Sequence, residues 1–309
     1  ERLHRKAYDL TRLSGVTGVD FSLSERISAS LQYEAEIDDI RKIDSSAFLT
    51  QADLERLRFD EGVTTLHSIR PSFALDFRDN AAHPHRGWFA AGSVEYARSI
   101  GEKGSTLLFG LLDGSEVYTN LAKVQGTLSG YLPVARGTVV AMSLRGGQIF
   151  SLDSRSRTII PKRFFVGGAS SMRGYGEDEM LQEDVRPVLA AEAGHCATSL
   201  TGIGCTERGR AILDGRIPTS EGGQAFFLVK SEIRQQLRGS MELGLFLDLG
   251  NLWYRAEAVR LLDLRANVGA GLRFATPIGP AAIDVGVNVA PDEAVNERTF
   301  APHFTIGLF

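Results

Sequence analysis

The segment Arg163-Phe164-Phe165-Val166-Gly167-Gly168-Ala169-Ser170-Ser171-Met172-Arg173-Gly174-Tyr175-Gly176 holds the residues best equipped for a specific interaction. Glycines at 167, 168, 174 and 176 let the backbone turn sharply and approach another surface closely. Arg173 stands between them with a planar guanidinium that can pair bidentately with a carboxylate. Downstream, Glu232 and Asp248 are suitably placed acids. On composition alone the same segment reads as a flexible Gly-rich loop with a solvated arginine.

Covalent and redox chemistry find no support. Ser170, Ser171 and Ser220 stand in no nucleophile elbow, and no GxSxG, Walker loop, HExxH or CxxC pair is present. The chain is therefore expected not to be an enzyme and to use no cofactor and no metal. His83 and His85 flank Pro84 and could be imagined as ligands, but in a hairpin they read as solvated turn residues. Cys196 and Cys205 lie close together in a Gly/Thr-rich stretch. They could close a small loop disulfide in an oxidising compartment, or stand as two unrelated thiols.

The elements that must position these residues announce themselves by alternation. Ile27, Ala29, Leu31, Tyr33, Ala35 and Ile37 alternate with Ser28, Ser30, Gln32, Glu34 and Glu36. In a strand the two sets face opposite ways. The same period recurs at Ile69–Arg78, Trp88–Arg98, Leu121–Leu132, Thr138–Phe150, Phe227–Arg234, Leu243–Gly250, Val268–Phe274, Ile283–Val289 and His303–Phe309. With Val16–Ser24 this gives about eleven strands, many joined by short Gly/Asn/Pro turns. Between Phe150 and Gln224 the alternation stops for over seventy residues, so 150–224 is expected to be one long loop. Helical signal is sparse, confined to Gln51–Phe59 and Ala256–Leu264 as loop decorations.

Of 309 residues, 43% are hydrophobic and 23% charged, which excludes global disorder. A net charge of −4 argues against nucleic acid as a partner, because phosphate binding needs a basic field. No apolar run approaches the ~18–20 residues of a membrane helix. A membrane barrel remains open, since its strands need only ~9–11 residues and are apolar on one side. The polar sets carry full charges (Glu34, Glu36, Lys123, Arg145, Lys230, Glu232, Arg234, Asp248, Arg273), as a wet lumen permits and a soluble sandwich core does not. A soluble β protein is the competing reading. Trp88, Tyr96, Tyr131, Trp253 and Tyr254 fit interfacial girdles or ordinary strand preference equally well.

Four segments carry a resemblance. Phe165-Val166-Gly167-Gly168 followed by Ser171-Met172-Arg173-Gly174-Tyr175 resembles the RGY loop motif of the BamA/TamA family of outer-membrane assembly factors. Phe246-Leu247-Asp248-Leu249-Gly250 resembles that family's FxDxG strand motif. Gly271-Leu272-Arg273 through Thr276-Pro277-Ile278-Gly279-Pro280 and Asp284 resembles a segment near its C-terminus. Asp76–Asn80 with Pro84-His85-Arg86-Gly87 resembles an earlier hairpin. The ending, with Phe304, Ile306, Leu308 and Phe309 in the last strand, is more similar to TamA than to BamA.

The resemblance implies an all-β fold, a transmembrane antiparallel β-barrel of about sixteen strands. Residues 1–309 would then be the C-terminal part of the barrel, truncated at its N-terminus, with no POTRA domains in this chain. It implies integral residence in the bacterial outer membrane, with outer-membrane lipid around the barrel. Partners would be nascent outer-membrane proteins or autotransporters, with accessory periplasmic or inner-membrane subunits. The implied function is insertion or translocation of such proteins; the alternative is a two-partner-secretion or passive pore. The RGY loop would fold inward, with Arg173 meeting Asp248 first and Glu232 second. Cys196 and Cys205 are expected to form a disulfide in the long loop, on the extracellular side.

Overall fold

The protein is described by a computed structural model covering residues 2–5, 8–41, 62–101, 106–107, 112–113, 117–199, 204–276 and 279–306. Twelve strands form one antiparallel sheet: β1 (Arg2–Arg5), β2 (Tyr8–Ser24), β3 (Ile27–Arg41), β4 (Gly62–Asp76), β5 (Gly87–Ser99), then β8 (Asn120–Ala135) and β9 (Thr138–Ser151), β10 (Ala225–Gln236), β11 (Met241–Trp253), β12 (Arg265–Thr276), β13 (Gly279–Asn288) and β14 (Phe300–Ile306). β6 (Thr106–Leu107) and β7 (Leu112–Asp113) make a separate two-residue ladder within a connection. Every strand of the large sheet pairs with its sequence neighbours in that order, so the topology is a meander. Each alternating segment falls on a strand over its described residues, apart from Phe77, Arg78 and Val289 just past strand ends, and several strands start earlier: β2 begins at Tyr8, well before Val16, and β4 at Gly62, before Ile69. The four-residue β1 has no alternation of its own to reveal it.

The sheet is inside-out relative to a water-soluble protein. On β11, Phe246 and Asp248 are buried while Leu245 and Leu247 are 53% and 38% exposed. On β13, Ala282, Asp284 and Asn288 are buried while Ile283, Val285 and Val287 are exposed. Phe304 and Ile306 continue the exposed set on β14, and Leu31, Phe73, Leu128, Leu132 and Met142 extend it across the sheet. Exposing so contiguous an apolar face to water would be costly at ~25 cal/mol per Å², whereas hydrocarbon removes the penalty. No helix among the described residues is long and apolar enough to cross a membrane.

The polar face is covered by the loop between β9 and β10. Phe164, Val166, Met172, Tyr175 and Met180 from the loop pack with Leu66, Leu121, Ile149, Leu228 and Leu252 from the wall, forming the main apolar core. The loop also contains two helices that alternation could not reveal, α1 (Arg186–Thr198) and α2 (Glu207–Leu213). α1 starts with Pro187 in its first turn, where a missing N–H costs nothing. α2 is capped by the Thr206 hydroxyl, which accepts the Gly209 N–H at 2.9 Å. Leu189, Ala193 and Ile212 from these helices bury against Leu181, Val185 and Val295 in a second cluster.

Two local expectations need correction. Ala256–Leu264 forms only a single 3₁₀ turn, Ala256–Ala258, and Leu261 and Leu262 beyond it stay exposed, at 56% and 98%. Trp253 is 1% exposed, so its ring is not presented to a membrane interface as a girdle residue would be. The proposed helix Gln51–Phe59, the Pro277-Ile278 dipeptide and the last-strand residues Leu308 and Phe309 lie outside the described residues.

Candidate functional site

The loop enters the site through a tight turn. Gly167 and Gly168 have φ of 126° and 93°, backbone that side-chain-bearing residues rarely adopt. The Ser171 hydroxyl bridges the N–H and carbonyl of Gly167, each at 2.8 Å, and the Gly168 N–H donates to the Tyr175 carbonyl at 3.2 Å. This folded turn delivers Arg173, 3% exposed, to the polar face of β10 and β11. There its Nε and Nη2 donate to Asp248 at 2.8 and 2.7 Å, and Nη1 donates to Glu232 at 2.7 Å. The Arg173 backbone N–H adds a fourth bond to Asp248 at 3.2 Å. The guanidinium lies over the Phe246 ring, 3.4 Å from its centroid, a cation–π contact away from water.

β-sheet register explains why two acids converge. Glu232 pairs with Phe246 across β10 and β11, and Asp248 pairs with Lys230, so the acids are diagonal neighbours on one face with Phe246 beside them. Burial works against the charged guanidinium, but the hydrogen bonds and charges of Asp248 and Glu232 outweigh it and raise its pKa above arginine's ordinary value. Glu232 has further partners in Arg273 at 2.8 Å and Arg234 at 2.9 Å. Arg273 in turn lies 3.2 Å from Asp284.

Backbone contacts complete the latch. His303 on β14 places Nε2 3.0 Å from the Arg173 carbonyl, which can only accept, so that nitrogen carries the proton. Gly286 on β13 leaves room for this carbonyl; a Cβ there would overlap it. Gly174 likewise sits against Asn267 on β12, whose amide oxygen, turned toward the loop, accepts the Gly174 N–H at 2.9 Å. Tyr175 is 1% exposed and its hydroxyl accepts from Asn288 at 3.1 Å. Gly250, two residues beyond Asp248, packs against Leu228 of β10.

A second latch holds the start of the loop. Lys162, itself buried, places Nζ 2.8 Å from Glu95 on β5 and 2.5 Å from Glu36 on β3. Burial alone would lower its pKa, but the two carboxylates raise it above the ordinary lysine value. Arg70 joins Glu95 at 3.2 Å and Arg12 joins Asp38 at 2.8 Å, extending the cluster across the wall. From β3 to β14 is nine strand spacings, about 43 Å if laid flat at ~4.8 Å each. One folded loop segment touches both β3 and β14, so the sheet curls around it.

The structure thus brings Arg173 to Asp248 and Glu232 and sets Gly167, Gly168, Gly174 and Tyr175 around it, with Phe246 beneath. Cys196 and Cys205 are joined as a disulfide that ties the end of α1 to the approach of α2. Phe304 and Ile306 lie apart, on the outer face of the last strand. Sequence reasoning missed Lys162, Asn267 and His303, and it missed the stacking of Arg173 on Phe246. For His303 and Asn267 a signal existed: each sits at an inward parity position of a strand whose alternate residues are apolar. The arrangement contains fixed charges and no arranged nucleophile, so what it can do is hold or release a loop.

Residues 3–309 match the Omp85 superfamily domain. The chain is 26% identical over 145 residues to a SAM50-like protein of Schizosaccharomyces pombe, an alignment covering 47% of this chain and 28% of that one. Its fold is similar to BamA from Haemophilus ducreyi, with a TM-score of 0.68 and 15% identity over 97% of this chain and 55% of that one. It is also similar to CdiB from Acinetobacter baumannii, with a TM-score of 0.54, 11% identity and coverage of 97% and 42%. The chain therefore spans about half the length of these solved structures or less, and under a third of the yeast relative.

Proposed function

The chain belongs to the Omp85 superfamily, and on that premise we propose that it is the β-barrel component of a bacterial factor that inserts or secretes outer-membrane proteins, autotransporters among them. Members of this superfamily are non-enzymatic insertases and transporters, integral to an outer membrane. The observation that carries the proposal is the doubly latched loop. A passive pore needs an open lumen, whereas here Lys162 and Arg173 fix a folded loop across the polar face through buried ion pairs. Such a plug suits a protein that works at its wall and edge, where strands can pair with a client and nearby lipid is perturbed.

The RGY-type loop, the FxDxG strand and the TamA-like ending support a place near the BamA/TamA branch, with accessory periplasmic or inner-membrane subunits as partners. The Cys196–Cys205 disulfide favours a bacterial outer membrane over a mitochondrial one. In bacteria the exported chain folds from an oxidising periplasm, while a mitochondrial surface loop faces a reducing cytosol. Two-partner secretion is the second reading, because such channels share the RGY-type loop that Arg173-Gly174-Tyr175 resembles. Depletion of the full-length protein in its host separates them. Loss of many outer-membrane proteins or autotransporters from the membrane supports the assembly reading. Loss of a single secreted protein, with the rest of the outer membrane unchanged, overturns it.

A further inference from the structure

The turn between β4 and β5 brings together residues that play no part in latching the loop. Its backbone is pinned by two side chains. Asp79 Oδ1 accepts the N–H groups of Asn80, His85 and Arg86 at 3.0, 3.0 and 3.1 Å. Asn80 Oδ1 accepts those of Ala82 and His83 at 2.8 and 3.0 Å. Pro84 disfavours helical backbone at His83, the residue before it. The turn so fixed holds the two imidazoles with ring centroids 4.6 Å apart, edge to face.

Both rings point at one carboxylate that the chain supplies from far away. Glu242 begins β11, five strand steps round the sheet from β4. His83 Nε2 is 3.1 Å from one of its oxygens and His85 Nε2 is 3.8 Å from the other. One ligand atom from each of the three residues lies within 4.8 Å of the others. Around a tetrahedral zinc with bonds near 2.0 Å, ligand atoms sit about 3.3 Å apart, so the observed separations bracket what such an ion needs. His85 Nδ1 also has the Asp79 carboxylate 4.0 Å away, the outer carboxylate that commonly orients a metal-bound imidazole.

We propose that His83, His85 and Glu242 bind a divalent cation of the zinc class, clamping the β4–β5 turn to β11 at the rim opposite the long loop. A lone hydrogen bond from His83 would satisfy Glu242 and leave the convergence of His85 without a cause. Two protonated imidazoles side by side would repel each other. One cation takes a lone pair from each ring and charge from the carboxylate, and it satisfies all three together. Two imidazoles with one carboxylate suit zinc and its borderline neighbours rather than magnesium or calcium, which prefer oxygen. His83 is part-exposed and His85 more so, leaving water access for the remaining coordination position.

The test uses the full chain in detergent, without a polyhistidine tag and stripped with EDTA, titrated with zinc chloride against a chromophoric chelator. The expected result is one zinc per chain with micromolar or tighter affinity. H83Q, H85Q and E242Q should each weaken binding at least tenfold, while H67Q, at a histidine elsewhere in the sheet, leaves it unchanged. Absence of binding at stoichiometric zinc, or binding indifferent to H83Q and H85Q, overturns the proposal. X-ray absorption on the zinc-loaded unmutated chain covers the case of variants that fail to fold. Two imidazole nitrogens and a carboxylate oxygen are expected at about 2.0–2.2 Å, and a spectrum without imidazole overturns the assignment.

Discussion

Replacing Arg173 with alanine should open the loop, and the structure allows the effect to be sized. The change removes two hydrogen bonds to Asp248, one to Glu232 and the stack on Phe246. The acids do not suffer equally. Glu232 keeps Arg273 and Arg234, whereas Asp248, 0% exposed, keeps only the residue-173 backbone N–H from the loop. Leaving one buried charge without its partner costs about 3–5 kcal/mol, and losing a desolvated cation–π contact adds roughly 1–2 kcal/mol. Native-state hydrogen exchange of amides in 163–182, with the chain in micelles, reads the loop's opening directly. A loss of about 4–7 kcal/mol corresponds to about three to five decades in protection at 1.4 kcal/mol per decade. Asp248→Asn should cost only about 1–3 kcal/mol, because Arg173 retains Glu232. Adding Asp248→Asn to Arg173→Ala should restore part of the protection, since it removes the stranded charge while the bond to Glu232 and the stack on Phe246 stay lost. Arg173→Lys should fall between, keeping charge and losing the fork. If Arg173→Ala changes exchange by less than tenfold, or if the double variant is as damaged as the sum of the singles, the latch account is wrong.

Three further outcomes follow from other contacts. Leu245→Arg, on the outward face of β11, should destabilise the barrel by about 2–4 kcal/mol if the site lies near the bilayer midplane, read as a lowered midpoint of heat-modifiable migration; an unchanged midpoint contradicts the lipid-facing assignment. Lys162 has its pKa raised in the folded state, so its contribution is fully present below the unfolded lysine value of 10.5 and is lost as pH rises through the higher folded value. Protease resistance of the loop should therefore hold from pH 7 to 10, fail only beyond, and be lost already at pH 7 in Lys162→Met; loss in the unmutated chain by pH 9 would contradict the buried pairing. Reducing Cys196–Cys205, nine residues apart, should release about 2–3 kcal/mol of loop-closure constraint. It should raise exchange in 186–213 and leave the strands protected; two free thiols in the unreduced, denatured protein would contradict the disulfide.

Much of the sheet was legible because its chemistry has period two. Leu245 and Leu247 against Phe246 and Asp248 already separate an outer from an inner face, and the charges on the inner set point away from a soluble core. The opposing acids Glu232 and Asp248 were legible for the same reason, since strand parity placed them on one face. Other features depended on distance in sequence. Lys162 looks like any solvated lysine until curling brings Glu95, 67 residues earlier, to 2.8 Å. His83 looks like a turn residue until Glu242, 159 residues later, reaches it. α1 escaped because only Leu189 and Ala193 are buried along it, too few to imprint a helical period. The four-residue β1 and the two-residue β6 and β7 are too short for any alternation to register.

The central claim, that this barrel promotes insertion of other outer-membrane proteins through a wall held by a latched loop, is tested most directly in proteoliposomes. The full-length protein is reconstituted, a urea-unfolded β-barrel client is diluted in, and client folding is followed by heat-modifiable migration. Folding several-fold faster than in protein-free liposomes of the same lipid, with Arg173→Ala falling back toward that baseline, is the predicted result. Client folding no faster than in empty liposomes, with the reconstituted protein itself folded, would contradict it.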